Sequence, residues 1–315
     1  MVNNAFLRSI NIQLDIGHPD RLEHFRPTSK SVELISSVLR RERGNAVFVI
    51  APYGSGKSIT AGYLGELLEN RPAAGEMLAR VEARLEGVSN ALQKDVRTRR
   101  TTDQKGLFVP LYGHVPSAPA ALKEGILAAM RRTQLGRQAR SLDAVEAKTA
   151  RDVFKLVGEC TEKLEAAGRD RLVIVWDEFG RHLQGLISEG RSEELDVLQV
   201  LAEVASRTSS VPVTLVLLLH RSLLGYASGL PSGLRREWAK VEGRFETLQY
   251  LDDSTELYQL LGSLVEESRP AESLSDDFST SAAQAKEVGL FPDVSEHDLT
   301  SILAAAYPLE PTTLY

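Results

Sequence analysis

The chain alternates between short, almost purely apolar runs and longer segments in which apolar residues recur every three or four positions. The runs Ala46–Ile50, Leu107–Leu111, Leu172–Trp176 and Val213–Leu219, with a shorter one at Phe245–Tyr250, are strand-sized and lack polar alternation, as strands buried on both faces do. Between and before them, Ser31–Arg43, Ser58–Glu69, Ala118–Arg132, Ala144–Ala167 and Ser192–Ser206 carry the helical period. In the first of these, Val32, Ile35, Val38 and Leu39 share a face, and Arg40 to Arg43 form a solvated end. Arg71–Lys105 reads as a charged insertion with weak helical periodicity. Strands alternating with helices predict an α/β fold, a three-layer αβα arrangement around a five-stranded, mainly parallel sheet. Beyond Asp252 the strand signals stop, and Ser254–Glu267 and Ser295–Ala306 read as helices separated by a stretch containing Ser, Asp and Pro. The expected organisation is an N-terminal strap and helix over 1–44, a core over 45–251 and a small helical lid over 252–315. No internal repeat or low-complexity segment is evident.

The first core run leads into Ala51-Pro52-Tyr53-Gly54-Ser55-Gly56-Lys57-Ser58-Ile59, and a helix is predicted from Ser58. Strand, glycine loop and helix in that order suit a polyphosphate. Gly54 and Gly56 let successive N–H groups turn inward, and the new helix aims its positive end at the same charge. Lys57 is placed to reach the β and γ phosphates, and the Ser58 hydroxyl to ligate Mg²⁺. The Walker A pattern opens with Gly where this chain has Ala51, which an Ala tolerates at negative φ. Taken alone, the loop is also a plain glycine turn before a helix.

Its chemical counterpart lies downstream, in Arg171-Leu-Val-Ile-Val-Trp-Asp-Glu178. A buried strand ending in two acids delivers carboxylates to one edge of the sheet. Asp177 is the candidate for the Mg²⁺ shell, and Glu178 for orienting and deprotonating an attacking water. The bland reading is a core strand with a solvated acidic end.

Composition narrows the class. At 315 residues and 34.6 kDa the chain can bury a large core, and its net charge of -6 gives no global pull toward nucleic acid. The lone cysteine, Cys160, excludes an internal disulfide framework and suits a reducing compartment. No segment approaches the ~20 apolar residues that span a bilayer, so the expectation is a cytoplasmic protein. Arg97, Arg99 and Arg100, and Arg131, Arg132, Arg137 and Arg140, are the candidates for nucleic-acid contact, against the commoner role of solvated surface.

On the loop, the acid pair and the strand order, the chain resembles the additional-strand P-loop ATPases, and within them the AAA+ and origin-recognition-like group. The likeness spans roughly Asp15 to the C-terminus. It implies a sensor-one role beside the γ phosphate for His220, which directly follows Val213–Leu219. Lys240-Val-Glu-Gly-Arg-Phe-Glu246 is similar to the box carrying a trans-acting arginine finger, which implies that role for Arg244, with Lys240, Arg235 and Arg236 as neighbouring candidates. His24, Phe25, Pro27 and Thr28 fall where the group builds its adenine pocket, and a strap packed on the core explains them as well. Arg181 and His182 follow the acid pair and are candidates to line the site, with a solvated loop the commoner reading. No sensor-two arginine is found. More narrowly, His18-Pro-Asp-Arg-Leu-Glu-His-Phe-Arg-Pro-Thr28, the Ala51 loop and Tyr307-Pro-Leu-Glu-Pro-Thr312 look like the ATPase modules of bacterial phage-defence proteins of the BREX C type, as one module of a longer protein or a shortened relative. The resemblance implies ATP and Mg²⁺ as ligands, a homo-oligomer or a complex with other defence or DNA-processing subunits, and no membrane. A nucleotide-dependent switch or scaffold with slow hydrolysis is the alternative, and a kinase-like transferase is a weaker one.

Overall fold

The structure is a computed structural model that describes residues 10–40, 45–102, 104–191, 194–207, 210–250, 278–292 and 294–307. The chain divides into two compact units, Met1–Leu251 and Asp252–Tyr315. In the first, β1 (Ala46–Ile50), β2 (Leu107–Tyr112), β3 (Leu172–Asp177), β4 (Val213–Leu219) and β5 (Glu246–Gln249) form one five-stranded sheet in the order β2-β3-β4-β1-β5. Every pairing is parallel, so the sheet is wholly rather than mainly parallel. The register sets Ile50 beside Leu219 and Gln249, and Tyr112 beside Asp177.

Side-chain parity along the strands divides the core between the two faces. Val47, Val49, Phe108, Val173, Val175, Val216 and Leu218 point to one face. It is covered by α1 (Ile12–Asp15), α2 (Ser29–Leu39), α3 (Lys57–Glu69), α4 (Gly75–Arg84) and α5 (Asn90–Thr101). Phe48, Val109, Leu111, Ile174, Trp176, Leu215 and Leu217 point to the other. That face takes α6 (Ala118–Arg132), α7 (Gly136–Leu142), α8 (Ala150–Ala166), α9 (Phe179–Glu189), α10 (Leu195–Ala205), α11 (Leu223–Tyr226) and α12 (Ser232–Glu242). Burial on both sides is why the strands read as unbroken apolar runs.

Several boundaries differ from the periodicity, each for a local reason. Helix α2 starts at Ser29, two residues early, because Thr28 and Ser31 cap one another, with the Thr28 N–H donating to Ser31 Oγ at 2.7 Å. The helix after the glycine loop begins at Lys57, with Gly56 at its cap. The last strand is shorter than expected, Glu246–Gln249. Ala144–Ala167 resolves into the end of α7's connection and α8, which opens at a reciprocal Thr149–Asp152 cap. Arg71–Lys105 is no loose insertion: Leu78, Val81, Leu92 and Val96 are fully buried, and its charges find specific partners. Arg97 and Arg100 both reach Glu82, at 2.6 and 2.8 Å. Arg99, only 4% exposed, donates to Asp170 and to the Leu67 and Leu68 carbonyls. These pairings dilute the helical period while being the reason the segment folds.

In the second unit, α13 (Phe278–Glu287) and α14 (Glu296–Ala306) share a core of Ala282, Ala285, Phe291, Leu299, Ile302 and Leu303. Ser295 caps α14, as its spacing before Asp298 implies. Helix α13 falls in the stretch read as a connection, and the expected helix Ser254–Glu267 lies outside the described residues.

Helix α3 comes close to the sheet at Gly65, where an added Cβ would sit 2.7 Å from the Phe108 ring and 2.9 Å from Ile16. Gly65→Ala is expected to lower unfolding stability by about 1–3 kcal/mol through overpacking, measured as a reduced urea midpoint at unchanged slope.

Candidate functional site

After β1 the chain leaves into α3 on one face, whereas after β4 it leaves into α11 and α12 on the other. Successive crossovers diverge at the β1/β4 boundary, and such a boundary opens a crevice at the carboxyl ends of the strands. The residues singled out in the sequence gather there.

The loop from Ala51 to Ser58 is built on two left-handed glycines, Gly54 at φ 77° and Gly56 at φ 86°. A Cβ at Gly54 would meet nothing within 4 Å, so the demand there is conformational and the mouth of the loop is open. Ala51 is not among the positive-φ residues, and its N–H donates to the Leu219 carbonyl at 3.1 Å. Pro52 and Tyr53 are exposed, Ile59 is half-buried, and Ser55 Oγ donates to the Pro52 carbonyl at 2.9 Å. Lys57 is 6% exposed and turns back into the loop, its ammonium donating to the carbonyls of Ala51 and Pro52, both at 2.8 Å. Burial pushes its pKa below the ordinary lysine range; Asp177 and Glu178 pull upward, and the charge of Lys30 adds to the downward push.

Asp177, 2% exposed, accepts the Glu178 N–H on Oδ1 at 2.8 Å, and its Oδ2 is buried without a hydrogen bond. Burial raises its pKa above the usual carboxylate range. The nearby Ser58 hydroxyl and the Glu178 amide oppose that rise, though no hydrogen bond of ordinary geometry joins Ser58 to it. Glu178 sits in the left-handed region, φ 51° and ψ 34°, at the strand-to-helix corner. A non-glycine residue held there is strained, and such strain concentrates at working sites.

His220 links the two sides of the crevice. Because a carbonyl only accepts, its Nδ1–H donates to the Ala51 oxygen at 3.2 Å, and Nε2 then lies 3.5 Å from Glu178 Oε1. The Tyr53 ring stacks on the imidazole, centroids 3.5 Å apart. Arg181, in the first turn of α9, brings Nε to 3.2 Å from Glu178 Oε2. Arg181 thus lines the site, one of the two readings open for it, whereas the Tyr53 stack and the buried Lys30 depend on residues distant in sequence. His182 is no solvated loop residue: it is buried, stacked on Trp176 at 4.5 Å, and burial, with a smaller push from His114, drives its pKa down to about 3. Cys160 is buried and its thiol is pushed up to about 12, which makes it inert.

Other candidates lie apart from this cluster. Phe25 is buried and stacked on Tyr63 at 4.9 Å, Pro27 is buried beside it, and Thr28 caps α2, so the strap serves the core. Arg244 precedes β5, at the sheet edge opposite the loop, and pairs with Glu203 of α10 at 2.9 Å. Lys240 pairs with Glu237. Of the arginine clusters, Arg99 is buried, Arg132 is bonded to Glu69 and the Phe108 carbonyl, and Arg131, Arg137 and Arg140 are exposed. Among the described residues, no group of three or more His, Cys, Asp or Glu side chains forms a metal cluster, and no helix is long and apolar enough to cross a membrane. No protein-family description matches the chain, and no curated protein matches it.

A raised acid pKa in the folded state means that the buried Asp177 carboxylate opposes folding above that pKa, and that the penalty disappears once the group is protonated in both states. Asp177→Asn is therefore expected to melt at a higher temperature than the wild type at neutral pH. The gain should vanish as pH falls below the ordinary aspartate range, as read from paired thermal melts across pH.

Proposed function

We propose that this chain is an Mg²⁺-dependent ATPase of the additional-strand P-loop type. The observation that carries the reading is the convergence, across one sheet crevice, of a buried lysine on a two-glycine loop with the buried Asp177 and the half-buried Glu178, whose charges act on it. The strand order supports the grouping, since β4 lies between the loop strand and the acid strand.

The residues fit the metal. Asp177 Oδ2 is buried without a hydrogen bond and stands near Ser58, a hard-oxygen pair suited to Mg²⁺. Mg²⁺ takes most of its remaining ligands from phosphate and water, so no protein-only cluster is needed. Bound there, the metal supplies charge neutralisation at the phosphates. The loop N–H groups from Gly54 to Ser58 would bind phosphate oxygens, and Lys57 would exchange the Ala51 and Pro52 carbonyls for the β and γ phosphates. Glu178 would orient a water and take its proton, and His220, next to Glu178, would contact the γ phosphate. Arg244, which pairs with Glu203 of its own chain away from the loop, would serve another subunit's site. Assembly, a cytoplasmic location and service in a phage-defence or DNA-associated complex are parts of the same proposal, carried by the resemblance of the loop, strap and arginine box. A nucleotide-driven switch with slow turnover is the second reading. It is favoured by Glu178 standing between His220 and Arg181.

Lys57→Ala is expected to abolish binding of a fluorescent ATP analogue. Glu178→Gln should bind it like the wild type while phosphate release falls by about 10²–10⁴-fold. Wild-type protein that takes up no nucleotide in calorimetry ends the reading. A finger in trans makes a separate demand: Arg244→Ala and Glu178→Gln proteins, each inactive alone, should regain part of the wild-type phosphate release when mixed.

A further inference from the structure

Glu178 sits at a costly backbone corner. Its φ of 51° is left-handed, and a non-glycine residue stays there only where its surroundings over-determine it. The carboxylate itself supplies little of that hold. Its Oε2 is buried without a hydrogen bond, and the nearest charged partners, Arg181 and His220, stand at 3.2 and 3.5 Å. The direction in which Glu178 points is therefore set by what grips the corner.

The grip is partly local. Asp177 Oδ1 accepts the Glu178 N–H at 2.8 Å, and the fully buried Phe179 meets the Trp176 ring edge-on, centroids 5.0 Å apart. The rest comes from a distant segment. Tyr226, the last residue of α11, is 9% exposed, and its phenol lies against the backbone of Gly180 in the first turn of α9. A Cβ at Gly180 would stand 2.1 Å from Tyr226 Oη and 2.6 Å from Cζ. Gly180 is not among the positive-φ glycines, so space rather than conformation requires the missing side chain. The Arg221 guanidinium lies 4.3 Å from the centroid of the same ring. Burial raises the phenol's pKa, and the His220 backbone and the Arg221 charge oppose that rise. One side chain thus stands at both segments that bring Glu178 and His220 face to face.

We propose that Tyr226 is a positioning residue, which wedges against Gly180 and holds the Glu178 corner so that the carboxylate faces His220. This rests on the reading of Glu178 as the group that activates water in a nucleotide hydrolase. Tyr226 acts through Glu178 and not on the nucleotide, so its loss reaches turnover and leaves binding alone.

The test is steady-state phosphate release at saturating ATP and Mg²⁺, with affinity for a fluorescent ATP analogue measured alongside, on the full-length chain. Tyr226→Ala is expected to lower kcat by about 10–10²-fold, as a displaced catalytic group does, at unchanged affinity. Tyr226→Phe keeps the ring in the wedge and should recover most of that loss. Gly180→Ala should lower kcat by displacing the ring, and should cost nothing further once Tyr226 is already alanine. In a Glu178→Gln background, Tyr226→Ala should slow turnover no further. A wild-type kcat in Tyr226→Ala overturns the proposal; so do losses that multiply in either double variant, and a Tyr226→Phe protein as slow as Tyr226→Ala. Leu156→Ala, which opens a cavity in the same core on α8, should melt earlier than the wild type and keep its kcat. An equal fall in its kcat would assign the effect to instability and overturn the wedge. If Tyr226→Ala does not fold, Tyr226→Leu, which keeps apolar volume but stops short of Gly180, takes its place. Wild-type protein that binds no ATP or releases no phosphate defeats the underlying reading, and this proposal with it, before any variant is compared.

Discussion

The pairing of β1 with β4 is the constraint on which the rest of the molecule depends. It inserts a strand between the one that ends in the glycine loop and the one that ends in Asp177. Two strand spacings, roughly 10 Å, therefore separate the ends of β1 and β3. Lys57 turns back to the Ala51 and Pro52 carbonyls on its own side of that gap, and His220 stands in it at the end of β4, bonded to Ala51 and facing Glu178. The same pairing makes the chain leave β1 and β4 toward opposite faces, and this opens the edge above them. The crevice is a product of topology before any side chain is considered.

Away from that edge the buried arginines and their acids are paired. Arg99 spends its donors on Asp170 and two backbone carbonyls, and Arg71 and Arg132 meet Glu66 and Glu69. At the edge the pattern reverses. Lys57 is buried with its pKa depressed, Asp177 is buried with its pKa raised and one oxygen unbonded, and Glu178 is held at a left-handed corner. Strain at Glu178 and opposite pKa shifts at Lys57 and Asp177 therefore coincide in one cleft, as perturbed groups do at working sites.

Much of this was legible along the chain, and the reason differs by element. The four long strands were readable because burial on both faces leaves no polar alternation to confuse the signal. Gly54, Gly56 and Lys57, and the acids closing β3, were readable because local backbone geometry and a strand end place them. The helices of Arg71–Lys105 were obscured by Arg97, Arg99 and Arg100, whose partners Glu82 and Asp170 lie on other turns or another strand approach. Phe25 had a ring suited to a purine, and only its stacking on Tyr63 reveals a core role. Arg181 and His182 are neighbours in sequence, yet one reaches Glu178 and the other is sealed under Trp176.

The sequence alone determined the class of the fold, the identity of the loop and acid groups and their order along the chain, because periodicity, glycine placement and strand ends are local properties. Tertiary structure decided the order of strands in the sheet, the partners of the buried arginines, the stack of Tyr53 on His220 and the place of Lys30 over the Tyr250 ring. Those depend on which distant segments pack together, and burial, charge coupling and backbone strain acquire their values only after that packing is complete.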